Sequence, residues 1–273
     1  MIKNIPPRWP RLGRISCGYA ASRKTPSGAV VYPVRSETFV FASDSTERLQ
    51  AVARAFGGSV EPSPDPQREG LYRVITKARE IEVVLPAEDD RGWDAWWELW
   101  GASGCLRRCD GETALFAVDP DTGERQEGVP CVCAARGLLR TDPMHCKPTS
   151  RLNVVIPALK DAPGLGLWQV QSRGLSTYMS IHGALDLVRR FGSPVGVPFL
   201  LRIITNRARD PITGETRKFP TIIVTARESF EQAFRRRVAL QAPPQSLPEP
   251  DRDTPPLGAG LSEEQEQAAR EHE

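Results

Sequence analysis

Five of the six cysteines in this 273-residue chain fall within one short stretch. They follow the spacing C-x3-C-x21-C-x-C-x12-C, as Cys105, Cys109, Cys131, Cys133 and Cys146. The residues after the second cysteine, GETALFAVDPDTGERQEG, are mostly polar and turn-forming, so they cannot bury a core of their own. Cys17 lies far away and is expected to be a small core residue. The cysteine-rich stretch therefore needs another source of folding free energy.

A local cluster of thiols in a reducing compartment is typical of a metal site, because disulfides rarely persist there. A structural zinc ion takes four ligands in a tetrahedron and contributes folding free energy. We expect Cys109, Cys131 and Cys146 to be ligands. Either Cys105 or Cys133 completes the set. Both thiols of the C-x-C pair, Cys131 and Cys133, strain the chelate if they bind the same ion. The alternative is a group of reduced thiols without metal.

The N-terminal sequence, MIKNIPPRWPRLGRI, lacks the apolar run of a signal peptide. No window approaches the run of about eighteen apolar residues that a membrane span needs. We therefore predict a cytoplasmic protein that does not interact with membranes.

The net charge of +2 conceals an asymmetry along the chain. Residues 241–273 carry eight acidic and two basic side chains, whereas residues 1–240 carry 34 basic and 26 acidic ones. A basic body is typical of proteins that work near nucleic acid, although an ordinary solvated surface explains the charge equally well. The tail is rich in proline and poor in large apolar residues, so we predict that it is disordered.

The body of the chain alternates strand-like and helix-like patterns, which predicts an α+β fold. A strand at 37–43 is followed by a helix with a capping box at Asp44 and an end at Gly57. Segments 71–76 and 80–86 are then expected to pair as neighbouring strands.

Residues 90–101, DRGWDAWWELWG, carry four tryptophans at helical spacing, so a helix with one aromatic face is expected there. Core packing explains that face better than a ligand site does. After the cysteines, the patterns predict strands at 151–157, 166–172, 198–208 and 218–226 and helices at 175–192 and 229–240.

The two halves of the body have the same predicted order of elements, β-β-α-β-β, and their sequences echo one another. ARAFGGSV followed by YRVITKAR is similar to VRRFGSPV followed by LRIITNRAR. This predicts a duplicated ferredoxin-like unit. The domains would be an N-terminal α+β half at 1–102, a zinc-binding insert at 103–149, a C-terminal α+β half with a terminal helix at 150–240, and the tail at 241–273.

The last predicted helix is amphipathic and adjoins the tail, an arrangement typical of a docking element. Its apolar side consists of Phe230, Phe234 and Val238. Its basic residues are Arg235, Arg236 and Arg237. We predict that this helix contacts a partner, with the alternative that its arginines simply face solvent.

The sequence offers no convincing catalytic constellation. The three histidines, His145, His182 and His272, form no H-E-x-x-H or H-x-H pattern. The G-x-G at Gly164 and Gly166 lacks the third glycine of a dinucleotide fingerprint and fits a tight turn better. We therefore predict that the protein is not an enzyme.

Several motifs occur in a distinctive order: NIPPRWPRLGRI, YRVIT, WWELW, GCLRRCDG, PCVC, CKP, SRLNVVIP and GLGLWQVQSRG. Together they resemble the recombination directionality factors of actinobacteriophages, over roughly residues 2–226. Similar proteins are also described as hydrolase or metal-binding proteins.

The resemblance implies a non-enzymatic regulator and a specific partner. Factors of this kind act on large serine integrases bound to attachment-site DNA and switch them from integration to prophage excision, in which attL recombines with attR. The resemblance also implies that the protein acts in the bacterial host cell. Direct contact with DNA would be secondary.

Two other functions stay open on the residues alone. One is a zinc-containing nucleic-acid-binding protein whose groove is lined by Arg107, Arg108, Arg202, Arg207 and Arg209. The other is a metal-dependent hydrolase, whose activity would be lost with the metal.

Overall fold

The computed structural model describes residues 9–26, 28–64, 70–101, 104–119, 122–135, 142, 144–209 and 214–241. These residues form an α+β structure made mostly of strands, which confirms the predicted fold class. The tail predicted to be disordered lies outside the described residues from residue 242 onward. Within the described ranges, no helix is long and apolar enough to span a bilayer.

Strands account for most of the described structure. In chain order they are β1 Arg11–Thr25, β2 Gly28–Ser43, β3 Val60–Pro62, β4 Tyr72–Ile75, β5 Glu80–Val84, β6 Trp93–Gly101, β7 Gly104–Cys109, β8 Thr113–Val118, β9 Arg125–Gln126, β10 Val129–Pro130, β11 Lys147–Val154, β12 Leu167–Ser172, β13 Pro198–Arg209 and β14 Thr216–Ala226. The helices are α1 Thr46–Phe56, the single turn α2 Val132–Ala135, α3 Leu175–Arg189 and α4 Phe230–Gln241, and Pro157–Leu159 forms a 3-10 turn.

The strands form two sheets. The large sheet has the order β10-β8-β7-β6-β11-β12-β1-β2-β4-β3, with β9 also paired to β8, and the small sheet has the order β14-β13-β5. Neighbouring strands are antiparallel except β1 and β12, which run parallel. The cysteine-rich strands therefore form one end of the large sheet, and the small sheet packs against its other part.

One hydrophobic core lies between the two sheets and is closed by α1 and α3. Ile15 and Phe41 enter it from the large sheet, Leu201 and Ile222 from the small sheet, and Ile181 from α3. All five are fully buried. Burial of this apolar area is the main source of stability for the body of the protein.

Helix α1 begins one residue later than the capping-box spacing predicted. Ser45 is the N-cap, because its hydroxyl accepts a hydrogen bond from the backbone N–H of Arg48 at 3.3 Å. Asp44 instead forms an ion pair with the Arg48 side chain. Gly57 ends the helix as predicted, with a φ of 76° that favours glycine. The cap assigned to Asp44 was therefore wrong.

The tryptophan-rich segment 90–101 is a strand, and the predicted helix was wrong. β6 pairs with β7 on one side and with β11 on the other. Trp97 and Leu99 lie on the side of the cysteines, while Glu98 and Trp100 are hydrogen-bonded to each other on the opposite side. Aromatic residues favour strands, and two partner strands satisfy the backbone, so tertiary pairing overrides the helical spacing.

Strands β4 and β5 are present where predicted, but the predicted pairing of 71–76 with 80–86 was wrong. β4 lies between β2 and β3 in the large sheet, whereas β5 pairs with β13 in the small sheet. The ferredoxin-like duplication is not confirmed either. In the first half, β1 to β4 all lie in the large sheet. In the second half, β11 and β12 lie in the large sheet, whereas β13 and β14 lie in the small sheet.

Gly13 in β1 lies where no side chain fits. An added Cβ would be 2.4 Å from both the carbonyl oxygen of Ala42 and the ring of buried Trp168. We expect Gly13→Ala to lower the free energy of unfolding by about 1–3 kcal/mol, as overpacking does, in urea denaturation. Gly183→Ala is the matched control, because nothing lies within 4 Å of its added Cβ in the interior of α3. It should raise the free energy of unfolding by up to about 1 kcal/mol. If Gly13→Ala and Gly183→Ala changed the free energy of unfolding equally, the close packing of β1 on β12 would be contradicted.

Candidate metal centre

The ends of three strands bring three cysteines together. Cys109 is the last residue of β7, Cys131 directly follows β10, and Cys146 directly precedes β11. The turn after Cys109 is fixed by the Asp110 carboxylate, which accepts two hydrogen bonds of 2.8 Å from the backbone N–H groups that follow it. Backbone pairing and this turn therefore hold the three thiols in place.

The sulfur atoms of Cys109, Cys131 and Cys146 are buried and lie within 4.8 Å of one another. The sulfurs of Cys131 and Cys109 are 3.3 Å apart. Four sulfurs bound tetrahedrally at about 2.3 Å from zinc are roughly 3.8 Å apart. The three thiols therefore fit the spacing of zinc ligands with only small shifts.

Cys133, in α2, lies beside these three. It is buried and lines the same cavity of about 190 Å³. Its sulfur accepts hydrogen bonds from the backbone N–H of Cys146 at 3.2 Å and from the guanidinium of Arg107 at 3.4 Å. Of the two candidates for a fourth ligand, Cys133 is the one that lines the cavity.

Cys105 lies apart from the converging sulfurs. It is half-buried at the beginning of β7, and its thiol donates to the carbonyl of Arg107 at 3.3 Å. Burial raises the pKa of the Cys105 thiol. His145 does line the cavity, but its Nδ1 is 2.5 Å from the carbonyl oxygen of Cys146 and so is engaged by the backbone.

The three converging thiols do not ionise equally on their own. A hydrogen bond from Cys146 lowers the pKa of Cys109 to about 6. Burial raises the pKa of Cys131, and the hydrogen bond to Cys109 raises the pKa of Cys146. The group thus favours one thiolate among protonated neighbours, and a divalent cation would allow the other thiols to ionise.

We call residues 104–146 the cysteine lobe. Its buried cluster is separate from the main core and consists of Leu99 of β6 with Cys109, Ala114, Cys131, Cys133 and Cys146. Four of these six residues are cysteines, and the partly buried side chains of Trp97, Leu106, Ala117 and Val129 complete a small core. The donor set and the small core both fit a bound metal that cross-links the lobe.

A buried carboxylate lies at the base of the cysteine lobe. The Glu98 side chain is 0% exposed. One of its oxygens accepts from Arg108 at 2.9 Å, and the other accepts from Arg151 at 2.6 Å and from the Trp100 indole at 2.8 Å. Burial acts to raise the pKa of Glu98, but the hydrogen bonds from Arg151 and Trp100 outweigh it and lower the pKa. This network joins β6, β7 and β11.

Sequence analysis missed Glu98, because a helix over 90–101 would have left it among exposed charges. A signal was present in the alternation of the strand. Glu98 stands between the apolar residues Trp97 and Leu99, so a strand puts it on the opposite face from them. A carboxylate on that face is stable only beside a positive charge, and arginines of the neighbouring strands can supply one.

The arginines considered for a nucleic-acid groove are divided between the two sheets. Arg107 and Arg108 lie on β7, where Arg107 donates to Cys133 and Arg108 to Glu98. The remaining members of the set lie on β13 of the small sheet and are Arg202, Arg207 and Arg209. Arg202 is already paired with a carboxylate of β5. These five residues therefore do not share one surface.

Helix α4 presents the apolar residues that were predicted to contact a partner. Phe230, Phe234 and Val238 are 70%, 58% and 55% exposed and recur at every fourth position, so they form one ridge. Inward of the ridge, Ala233 is buried. The helix therefore rests on Ala233 and on an edge-on contact of the Phe230 and Phe191 rings, whose centroids are 5.9 Å apart, and leaves most of the ridge in solvent.

The three arginines of α4 have different surroundings. Arg235 pairs with Glu231 one turn earlier and is mostly exposed. Arg236 is more buried, pairs with Glu228 and donates to the carbonyl of Ser193 at 2.8 Å. Arg237 donates to the carbonyl of residue 190, at the end of α3. Arg236 and Arg237 thus fix the helix to the body.

The fold and the thiol cluster define an α+β protein that can hold a metal ion in a closed, sulfur-rich site. Residues 12–227 match the Gp3-like family, which is described as recombination directionality factor-like. The matched residues include both sheets and the cysteine lobe, and the chain belongs to this family. Membership confirms the resemblance seen in the motifs and indicates a role with the recombination machinery. No solved structure matches the chain.

Glu98→Gln would leave two arginines facing an uncharged amide in a buried site. We expect it to lower the free energy of unfolding by about 3 kcal/mol at neutral pH, measured with urea. Glu80→Gln, which removes one partner of an exposed ion pair, is the matched control and should cost less than about 1 kcal/mol. The pKa of Glu98 is lower in the folded than in the unfolded protein, so ionised Glu98 stabilises the fold at any pH above its pKa in the unfolded chain. This stabilisation is lost as the pH falls through its pKa in the folded protein. A difference between wild type and Glu98→Gln that grows in acid would contradict this.

Proposed function

We propose that this protein is a recombination directionality factor that binds a large serine integrase and switches it from integration to prophage excision. The observation that carries the proposal is the family match over residues 12–227, which spans nearly all of the described body. The proposed partner is the integrase bound to attachment-site DNA, and the proposed place of action is the cytoplasm of a bacterial host cell. The protein itself would break no bond.

Such a switch is a shift of population between two synaptic arrangements of the integrase. A bound factor can shift that equilibrium only by binding one arrangement more tightly than the other. A hundredfold difference in affinity corresponds to about 2.7 kcal/mol. A factor that works in this way needs a rigid surface, because a surface that adapts to both arrangements favours neither.

We infer that a structural zinc ion is bound by Cys109, Cys131, Cys133 and Cys146. All four are buried thiols that line one cavity, so the short C-x-C spacing of Cys131 and Cys133 does not keep either of them away from the site. A closed set of four thiolates leaves no position for a reactive water, so the ion would supply a cross-link and not catalysis. This argues against the metal-dependent hydrolase.

Zinc content measured by elemental mass spectrometry tests the ligand set. We expect about one zinc per chain in the wild type and a clear loss of zinc in Cys133→Ser. Cys105→Ser is the matched control, because this thiol is half-buried and bonded to a carbonyl outside the cavity. It should keep the metal. Zinc loss in Cys105→Ser with retention in Cys133→Ser would reverse the assignment.

We propose that the α4 ridge, Phe230, Phe234 and Val238, contacts the integrase. Large apolar side chains that stay in solvent on a fixed helix are typical of a helix that docks into a groove. The helix is well capped, since Ser229 and Gln232 exchange hydrogen bonds of 2.8 and 3.2 Å. Arg235 would flank the contact, and Arg236 and Arg237 would position it. The ridge lies beyond the matched residues 12–227, so this contact is argued from the exposure of α4 and not from the family match.

An excision assay with the recombinase and DNA carrying attL and attR tests both proposals. We expect recombinant product only when this protein is added. Phe230→Ser combined with Phe234→Ser should lower the yield about tenfold, because two buried aromatic contacts would be lost.

The matched control is Leu115→Ser combined with Met179→Ser, which removes apolar surface that is also at least half exposed but lies on β8 and α3. This control should keep excision within about twofold of wild type, at unchanged melting temperature. Excision in the absence of this protein would contradict the proposed function. An equal loss of excision in both double variants would contradict only the proposed contact through α4.

A further inference from the structure

Arg107 of β7 lies between two apolar residues of the cysteine-rich end of the large sheet. It pairs with Leu99 of β6 on one side and with Ala117 of β8 on the other. Leu99 is buried in the cluster that contains the cysteines, and Ala117 packs against that cluster. Directly paired residues of neighbouring strands face the same side of a sheet, so Arg107 faces the cluster as well. A guanidinium therefore lies in a row of apolar side chains.

The two arginines of β7 face opposite sides of the sheet and have different partners. Arg108 forms an ion pair with the buried carboxylate of Glu98. Arg107 forms no ion pair with a carboxylate among the residues that the structure describes, and its guanidinium donates a hydrogen bond to the sulfur of Cys133 at 3.4 Å. A partly buried charge is stable beside a charge of opposite sign. The position of Arg107 therefore points to an anion at the cysteine cluster.

A zinc ion bound by four thiolates has the negative charge that Arg107 lacks as a partner. The ion neutralises two of the four thiolate charges, so two remain on the sulfur atoms. Protonated thiols would offer the guanidinium no negative charge. The sulfur of Cys133 also accepts a hydrogen bond from the backbone N–H of Cys146 at 3.2 Å, so two donors converge on one sulfur atom.

We propose that Arg107 stabilises the zinc-bound form of the cysteine lobe by partly neutralising the charge on its sulfur atoms. The proposal rests on the zinc site inferred above and adds to it a residue that binds no metal itself. Arg107 acts on the ion through Cys133, so it is a positioning residue of the metal centre. Loss of a group that donates a hydrogen bond to a metal ligand typically costs about 10- to 100-fold in metal affinity.

Competition for zinc between the purified chain and a chromophoric chelator, at one fixed pH, tests this role. Arg107→Met keeps much of the length of the side chain and removes its charge, so zinc should bind about 10- to 100-fold more weakly than in wild type. Arg107→Lys keeps the charge and should stay within about fivefold of wild type.

The matched control is Arg125→Met, on β9 of the same lobe. Arg125 forms an ion pair with the exposed carboxylate of Glu127 and lies 4.4 Å from the centre of the Phe116 ring. Because its charge is already paired, its loss should change the zinc affinity by less than about threefold. If Arg107→Met and Arg125→Met weakened zinc binding equally, only the total charge of the lobe would matter and the proposal would be overturned.

The melting temperature, measured with and without zinc, separates the charge of Arg107 from the packing of its side chain. In the zinc-loaded chain, Arg107→Met should lower the melting temperature, because the attraction to the sulfur atoms is lost. In the chelator-treated chain, the same change should leave the melting temperature equal or raise it, since it removes an unpaired charge from a row of apolar side chains. A fall of the same size in both states would show that Arg107 acts through packing alone, against the proposal.

These measurements distinguish a failure of the Arg107 proposal from a failure of the zinc site. If Arg107→Met binds zinc as tightly as wild type does, the proposal for Arg107 fails and the zinc site stands. If wild type binds no zinc, both fail. The role in excision is tested separately, by the assay with attL and attR.

Discussion

The convergence of four buried sulfurs is the constraint on which the cysteine lobe depends. Cys109, Cys131, Cys133 and Cys146 come from three pieces of chain, and Leu99 and Ala114 complete their buried cluster. Buried thiols pack like small apolar groups and contribute little on their own. A metal ion bound by the four sulfurs would add to the stability of the lobe. Without one, the lobe is stabilised by its strand pairing, its small core and the ion network around Glu98.

That network connects the lobe to the rest of the molecule. Glu98 ties β7, through Arg108, to β11, through Arg151, and β11 continues into the strands that cover the main core. A cross-linked lobe on such a base forms a stiff end to a long sheet. Helix α4 is likewise fixed to the body by Arg236. A regulator that selects one arrangement of its partner benefits from surfaces of this kind.

The sequence was most informative where chemistry is local. Cysteine spacing was enough to indicate that Cys109, Cys131 and Cys146 come together, and amphipathic spacing was enough to find α4. It was least informative where partners are distant in sequence. The tryptophans of 90–101 fit a helix equally well until β7 and β11 pair with them, and nothing local assigns β4 and β5 to different sheets. The network around Glu98 depends on those pairings, so it became visible only in the fold.

Hydrogen exchange of the native chain, before and after treatment with a zinc chelator, tests the proposed metal cross-link most directly. The account predicts that removing the metal speeds amide exchange in β7 and β8, whereas β13 and β14, in the main core, keep their protection. Unchanged protection of β7 and β8 in a chain shown to be free of metal would contradict it.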